Sequence, residues 1–323
     1  MTSPSNAPHI FAVDVATTGV RVLVAEQYGE GIGVLGLGAA RRWTLRSGVV
    51  ADPTGLEAAI RDAIRATGMD PADASAYVGV PRHATPASKT PVRRDAGIIV
   101  KCCWAAGLPA REIIPAVVGS ALAVSTPETR AHGVGAVNLG AGPARLAVYL
   151  DGKVYQVGAA RRGGQTVIGD VAIGLRTPVT AAERIVIEHG CAMPGPAPVG
   201  ELVEVPSLGG RQSRAIERRT VAELIHRRLV EIFTELRELH LPSDLRDRLG
   251  SGIVLTGGFS RLPAIADLAH EVFDVPVRLG TPVIAGRDDL GPEHATVVGL
   301  ALLAASEAGA ASRMSPATAQ AGS

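Results

Sequence analysis

Three short glycine-containing turns, each at the end of an apolar run, are the segments of this sequence best suited to bind an anion. They are residues 14–19 (Asp-Val-Ala-Thr-Thr-Gly), 138–142 (Asn-Leu-Gly-Ala-Gly) and 255–259 (Leu-Thr-Gly-Gly-Phe). Small residues let successive backbone N–H groups approach a ligand, and such groups form an anion-binding concavity. A single turn of this kind usually has glycine only because the turn geometry requires it. The prediction of a phosphate site therefore depends on all three turns together.

The turns lie in two copies of one predicted arrangement of strands. Each copy has three strands joined by short glycine-containing connections, which favour antiparallel hairpins; the strands are 10–15, 20–25 and 34–43, then 135–139, 145–150 and 154–157. Helices and further strands alternate after each copy, and a strand at 252–256 leads into the third turn. The repetition predicts two duplicated lobes.

We place the first lobe at residues 9–130 and the second at 131–306. The flanking segments 1–8 and 307–323 are small and polar, and we expect both to be disordered. One helix, 53–67, carries its own start and stop signals in Asp52 and Gly68. For the longest helix, 221–239, Thr220 and Glu223 predict a capping box at its start.

Composition disfavours several classes of function. The 32 basic and 31 acidic residues nearly cancel, and no polybasic run is present, so nucleic-acid binding is not expected. Cys102, Cys103 and Cys191 show neither a CxxC spacing nor a disulfide pattern, which disfavours a zinc site and indicates a reducing compartment. No apolar stretch is long enough to span a bilayer and no secretory signal is seen, so we expect a cytoplasmic protein.

These turns and their order resemble those of the actin/Hsp70/sugar-kinase superfamily. Residues 11–18 resemble its first phosphate loop, 133–142 its second and 253–258 its adenosine loop. Longer segments resemble the FtsA family of bacterial actin-like cell-division proteins, namely 164–185, 204–210, 253–268 and 276–280. The resemblance implies an α/β fold of the actin/Hsp70 (ribonuclease H-like) type, with two duplicated lobes and a nucleotide cleft between them.

The resemblance also implies ATP and Mg²⁺ as cofactors and assigns residues to them. Asp14 would help to place Mg²⁺, and the other implied contacts are Thr17, Thr18 and Gly19 to phosphates, Gly140, Ala141 and Gly142 closing over them from the second lobe, and Gly257 and Gly258 admitting the adenosine. Glu183 matches a position near the adenosine. Thr180 and Glu183 also form a capping-box pattern, which accounts for the same residue without a ligand.

The second phosphate loop departs from the family's Asp-x-Gly-Gly-Gly-Thr-Thr pattern. Asn138 replaces the acid, Pro143 and Ala144 replace the two hydroxyl residues, and Val186 replaces a basic residue near the adenosine. Mg²⁺ prefers carboxylate and phosphate oxygens, and electrostatic stabilisation dominates phosphoryl transfer. We therefore expect weak or no ATP hydrolysis, while nucleotide binding persists.

Two further departures concern partners. The sequence leaves no room near residues 81–95 for the small subdomain that family members insert there and use in filament contacts. After Glu307 it lacks the basic and bulky apolar residues of the family's membrane-binding helix, so no direct membrane anchor is expected. The resemblance still implies protein partners at the division site, including the tubulin-like FtsZ ring and like subunits.

The favoured interpretation is an FtsA-like, nucleotide-binding scaffold in bacterial cell division or a related cytoskeletal process. One alternative is an active ATPase with a chaperone-like or reactivating role, similar to the compact actin-like proteins of ethanolamine utilisation. Another is an adaptor that binds no nucleotide. A sugar kinase is disfavoured because no catalytic Asp in a sugar-facing loop is evident. The basic string 214–219 is interpreted as salt-bridged surface, with a protein-docking face as its alternative.

Overall fold

The computed structural model describes residues 9–28, 31–41, 45–46, 49–72, 74–81, 92–195, 200–284 and 286–314. The predicted tail 1–8, the last residues of the other tail and most of the segment 81–95 lie outside these ranges.

The first half of the chain forms one sheet with helices packed against it. Its elements are β1 (Ile10–Ala16), β2 (Gly19–Tyr28), β3 (Gly31–Ala40), β4 (Leu45–Arg46), β5 (Val49–Val50), α1 (Pro53–Thr67), β6 (Ala76–Val80), α2 (Val92–Ala105), β7 (Ala110–Pro115) and α3 (Ala116–Val124). The sheet order is β3-β2-β1-β6-β7. Strands β3, β2 and β1 pair antiparallel, whereas β1, β6 and β7 pair parallel.

The second half repeats this sheet. Its elements are α4 (Pro127–Ala131), β8 (Val134–Asn138), β9 (Pro143–Leu150), β10 (Lys153–Gly163), α5 (Gly164–Gly174), α6 (Val179–His189), β11 (Leu202–Val205), β12 (Arg214–Glu217), α7 (Arg218–His240), α8 (Ser243–Arg246), β13 (Ile253–Thr256), α9 (Ile265–Phe273), β14 (Val277–Leu279) and α10 (Ala295–Met314). The sheet order β10-β9-β8-β13-β14 has the same mixture of antiparallel and parallel pairs as the first sheet. The predicted duplicated α/β fold is confirmed.

Helix α1 shows how local signals set an element. The Asp52 carboxylate accepts a hydrogen bond of 2.8 Å from the Gly55 N–H, as expected of an N-cap. Gly68 ends the helix with φ of +72°, a conformation that glycine adopts without steric cost. Leu56, Ile60 and neighbouring residues then bury one face against β2 and β3. Both predicted ends of this helix are confirmed.

The two connecting helices, α3 and α10, cross at a pair of glycines. A Cβ added to Gly299 would lie 1.7 Å from the Gly119 carbonyl oxygen, so only glycine permits this approach. On either side of the crossing, Val297 and Ala301 of α10 pack with Ala12 and Leu23 of the first sheet. Helix α10 therefore follows the second lobe in the chain but packs against the first lobe.

This packing corrects the expected chain divisions. The sequence places the end of the second lobe at residue 306 and a disordered tail from 307, yet α10 runs through both to Met314. The helix continues because Ala304 and Ala305 are buried against the first sheet, and because the Tyr77 hydroxyl donates a 2.7 Å hydrogen bond to Glu307. Residues 307–314 are thus helical.

The basic string 214–219 forms β12 and the first turn of α7. Arg218 pairs with Glu201 at 2.9 Å and Arg219 with Glu223 at 3.5 Å. The Arg214 guanidinium donates to the Leu175 carbonyl. These contacts agree with the interpretation as salt-bridged surface. Among the described helices none is long and apolar enough to cross a bilayer.

Candidate functional site

The first turn joins β1 to β2 and contains the half-buried Thr18 beside the buried Thr17. Gly19 closes it with φ of +148°, and a Cβ there would lie 2.1 Å from the Ala40 carbonyl oxygen of β3. Contact with the neighbouring strand is therefore sufficient reason for glycine at position 19. Any ligand contact from this residue would come from its backbone.

The first and second turns meet across the two lobes. A Cβ added to Gly142 would lie 2.3 Å from the Thr17 hydroxyl oxygen, so the glycine backbone faces that hydroxyl directly. The carbonyls of Gly140 and Ala141 accept hydrogen bonds of 3.0 and 2.7 Å from the first two N–H groups of α5. The second turn is thus held between α5 and the first lobe.

The third turn packs against the second. Gly257 has φ of +90°, and a Cβ there would lie 2.6 Å from the Asn138 Oδ1 atom and 2.7 Å from the Leu139 carbonyl oxygen. The Phe259 N–H donates to that same carbonyl at 3.0 Å. A Cβ on Gly258 would meet open space, so a ligand can approach the turn there. The three sequence-predicted turns therefore form one contiguous group.

Asn138, at the position of the family's second acid, is bound to the crossing helices. Its amide Nδ2 donates to the Ser120 hydroxyl at 2.6 Å and to the Thr296 hydroxyl at 3.3 Å. The two hydroxyls lie 2.9 Å apart, and Ser120 donates its own proton to the Ala116 carbonyl at 3.0 Å. Ser120 belongs to α3 and Thr296 to α10, so this cluster joins the second turn to both connecting helices.

Asp14 lies at the corresponding place in the first lobe, where its environment is basic. Burial raises the pKa of its carboxyl, while Arg21 and Arg145 oppose that shift. The Arg21 Nη1 atom lies 3.5 Å from the Asp14 Oδ2 atom. Arg145 also donates from Nε to the Pro81 carbonyl, at the end of β6. A residue of the second lobe therefore reaches the first lobe beside Asp14.

These side chains do not suit a tightly held Mg²⁺ ion. The ion prefers several oxygen ligands, with carboxylates prominent among them. Here one of the two expected positions is the neutral Asn138 amide, whose NH₂ group is engaged, and the other is Asp14, which is paired with Arg21. Among the described residues no group of three or more His, Cys, Asp and Glu side chains could hold a metal.

Glu183 lies on α6, which forms none of the three turns. The capping explanation for this residue is wrong, because the N-cap of α6 is Pro178 and no side chain caps the helix. Glu183 is half-buried in the second turn of the helix, with Val186 fully buried below it. Helix α6 packs on α5, whose N-terminus holds the second turn.

Four residues of this site were not singled out from the sequence. Ser120 and Thr296 carry no local signal, since they lie 18 and 158 residues from Asn138. Arg21 and Arg145 do carry one, because each follows the first residue of its turn by seven positions. Aligning the two copies of the strand arrangement would have identified Arg21 and Arg145 as equivalent residues.

The chain resembles known proteins in both sequence and fold. A family model described as "Cell division protein FtsA" matches residues 136–299, which is half of the chain. "Cell division protein FtsA" of Pseudomonas aeruginosa is 37% identical over 205 residues, covering 62% of this chain and 49% of that protein. The chain therefore spans about half the length of this curated relative.

Solved structures share the fold at low sequence identity. MreB 5 of Spiroplasma citri bound to AMPPNP superposes with a TM-score of 0.73 at 14% identity, covering 96% of this chain and 99% of that one. The ethanolamine utilization protein EutJ from Carboxydothermus hydrogenoformans gives a TM-score of 0.63 at 18% identity, covering 94% and 92%. These structures show that the chain has an actin-like fold, and the family match over residues 136–299 shows that it belongs to the FtsA family.

Proposed function

We propose that this protein is an FtsA-like scaffold of bacterial cell division that binds ATP between its lobes and hydrolyses it weakly or not at all. The observation that carries the proposal is the approach of Thr17 to Gly142, which brings a turn from each lobe to one place. A polyphosphate there would meet backbone N–H groups from both lobes.

The three turns have distinct roles in this proposal. Thr17, Thr18 and Gly19 hold phosphates from the first lobe through backbone and hydroxyl groups. Gly140, Ala141 and Gly142 close over the phosphates from the second lobe. Gly257 and Gly258 admit the adenosine, and the open space beside Gly258 supports that role.

Weak hydrolysis follows from the groups that the site lacks at its expected metal positions. Phosphoryl transfer depends on groups that stabilise developing charge, and Mg²⁺ is the usual one. The Asn138 amide is neutral and bound to Ser120 and Thr296, while Asp14 is ion-paired. Glu183 stays a candidate adenosine contact, now without its capping explanation.

The comparisons support the proposal at the level of family and fold. The curated relatives are named for cell division, and the structural neighbour from Spiroplasma citri is bound to AMPPNP. We propose by analogy that this chain acts at the division site in the cytoplasm. Its proposed partners are the tubulin-like FtsZ ring and further copies of itself.

Two matched glycine substitutions test the nucleotide site. Gly142→Ala places a methyl group 2.3 Å from the Thr17 hydroxyl oxygen and should weaken ATP binding by about tenfold or more. Gly169→Ala, on α5, meets no atom within 4 Å and should leave binding unchanged. Calorimetric titration with ATP measures both, and circular dichroism checks that both variants fold.

Equal binding by the two glycine variants would contradict the proposed site. Measuring phosphate release on the same samples separates the scaffold from its alternatives. Steady metal-dependent turnover would favour the ATPase, whereas saturable binding with little release favours the scaffold. Absence of binding by the unmodified chain would leave the nucleotide-free adaptor.

A further inference from the structure

Each of the two phosphate turns is followed by an arginine at an equivalent place in its hairpin. In the β1–β2 hairpin Asp14 is paired with Arg21, and in the β8–β9 hairpin Asn138 is paired with Arg145. The spacing is seven residues in both. Because residues paired across antiparallel strands have side chains on the same face, each arginine stands beside its turn's metal position.

Both arginines act on the same carboxylate. Arg21 approaches Asp14 at 3.5 Å within the first lobe. Arg145 comes from the second lobe and is anchored by its hydrogen bond to the Pro81 carbonyl. Together with Arg21 it opposes the rise in the pKa of the Asp14 carboxyl that burial causes. One guanidinium group from each lobe therefore acts on Asp14, at the start of the first turn.

The charges of these four groups differ from those of a metal site. When Asp14 is ionised, the net charge of the four groups is +1. Arg21 and Arg145 are positive, Asp14 is negative and Asn138 is neutral. An acid at position 138, as in the family pattern, would bring this net charge to zero. A positive site attracts a polyphosphate directly.

We propose that Arg21 and Arg145 supply the counter-charge that Mg²⁺ would otherwise supply, so that this chain binds a nucleoside polyphosphate without metal. Guanidinium groups suit this role because they bind phosphate oxygens through two parallel N–H groups and stay charged at any physiological pH. Asp14 then orients Arg21 and is not a metal ligand. The inference rests on the proposed function, in which these turns hold a nucleotide.

The unmodified chain gives the first test. Calorimetric titration with ATP in EDTA and in excess Mg²⁺ should give dissociation constants that agree within about threefold. Binding that is weaker in EDTA by about tenfold or more would overturn the inference while leaving the proposed nucleotide site in place. No binding in either condition would overturn the proposed site and this inference with it.

Charge-removing variants give the second test. Arg145→Gln should weaken ATP binding in EDTA by about tenfold or more, because a charged phosphate contact is lost. Arg161→Gln is the matched control, since it removes the same charge from a side chain on β10 that is 87% exposed. Equal binding by these two variants would contradict the role of Arg145.

Substitution of Asp14 separates an orienting carboxylate from a metal ligand. If Asp14 only orients Arg21, Asp14→Asn should change ATP binding by the same factor in EDTA and in Mg²⁺, because no metal contact is lost. If it were a metal ligand, the variant would bind more weakly in Mg²⁺ and be unchanged in EDTA. Thermal unfolding of each variant checks that the fold persists.

Discussion

Asn138→Asp changes the polar cluster at the second turn without changing the size of the side chain. The native amide donates to the Ser120 hydroxyl at 2.6 Å, and Ser120 passes its proton to the Ala116 carbonyl at 3.0 Å. An ionised carboxylate has no proton to donate. To hydrogen-bond the carboxylate, the Ser120 hydroxyl must donate its proton to it instead of to the Ala116 carbonyl. The Ala116 carbonyl then loses the hydrogen bond from Ser120.

The cost is that of one lost hydrogen bond and a partly desolvated charge. We expect Asn138→Asp to lower the free energy of unfolding by about 2 kcal/mol at pH 7. For a chain of this size the unfolding temperature should fall by about 3 °C. Asn138→Ala is the control, because it removes the donors without adding a charge.

The effect of Asn138→Asp should depend on pH. A protonated carboxyl can donate as the amide does, so the fold favours the protonated form. The charge of Arg145, paired with position 138 across the hairpin, opposes this preference. We expect the pKa of the new side chain to rise above its unfolded value of about 3.9, as the pKa of Asp14 is raised despite Arg21 and Arg145. A raised pKa means that stability is present at low pH and is lost as pH rises through the folded value. Differential scanning calorimetry between pH 4 and 8 should show the variant's deficit growing with pH, while that of Asn138→Ala stays constant. A deficit for Asn138→Asp that is independent of pH would refute this account of the cluster.

Three further changes test other parts of the structure. Gly299→Ala should separate the crossing helices, because its Cβ would lie 1.7 Å from the Gly119 carbonyl oxygen, and should cost about 1–3 kcal/mol in chemical denaturation. Asp14→Asn removes a buried carboxyl whose pKa is raised, a shift that makes the native chain lose stability as pH rises. The unfolding temperature of the variant, relative to that of the native chain, should therefore increase between pH 4 and 8. A difference that is independent of pH would contradict the raised pKa. Tyr77→Phe removes the 2.7 Å hydrogen bond to Glu307 and should cost about 1 kcal/mol. Faster amide hydrogen exchange at the end of α10 would report that loss, and unchanged exchange would speak against it.

The elements with local signals were predictable from the sequence. Helix α1 has its N-cap Asp52 and its stop Gly68 within the segment itself, and both are found. The two hairpins repeat the same turn chemistry, so the duplicated sheets followed from comparing one half of the chain with the other. These features depend on residues that are neighbours in sequence.

Other boundaries depend on partners that are distant in sequence. The capping box predicted from Thr220 and Glu223 is wrong, because α7 begins at Arg218 and Thr220 already lies inside the helix. The helix starts there because it directly follows β12, which is paired with β11. Strand β7 ends at Pro115 because α3 starts at once and crosses α10. Helix α10 continues past the expected lobe end at residue 306 because it packs on the first sheet.

The chemistry of the candidate site was predictable in part. Sequence identified the three turns and the change from acid to amide at Asn138. It did not indicate that the amide is held by Ser120 and Thr296, since that cluster requires the crossing of two helices far apart in the chain. The pairing of Asp14 with Arg21 could have been predicted from the sequence, because both residues lie in one short hairpin whose turn fixes the register.

Calorimetric titration of the unmodified chain with ATP, combined with phosphate release from the same sample, shows whether this chain binds ATP without hydrolysing it. We expect saturable binding at one site per chain, with phosphate release that stays close to the rate without protein. Sustained turnover would contradict the conclusion drawn from Asn138 and Asp14. Failure to bind ATP would contradict the nucleotide site itself.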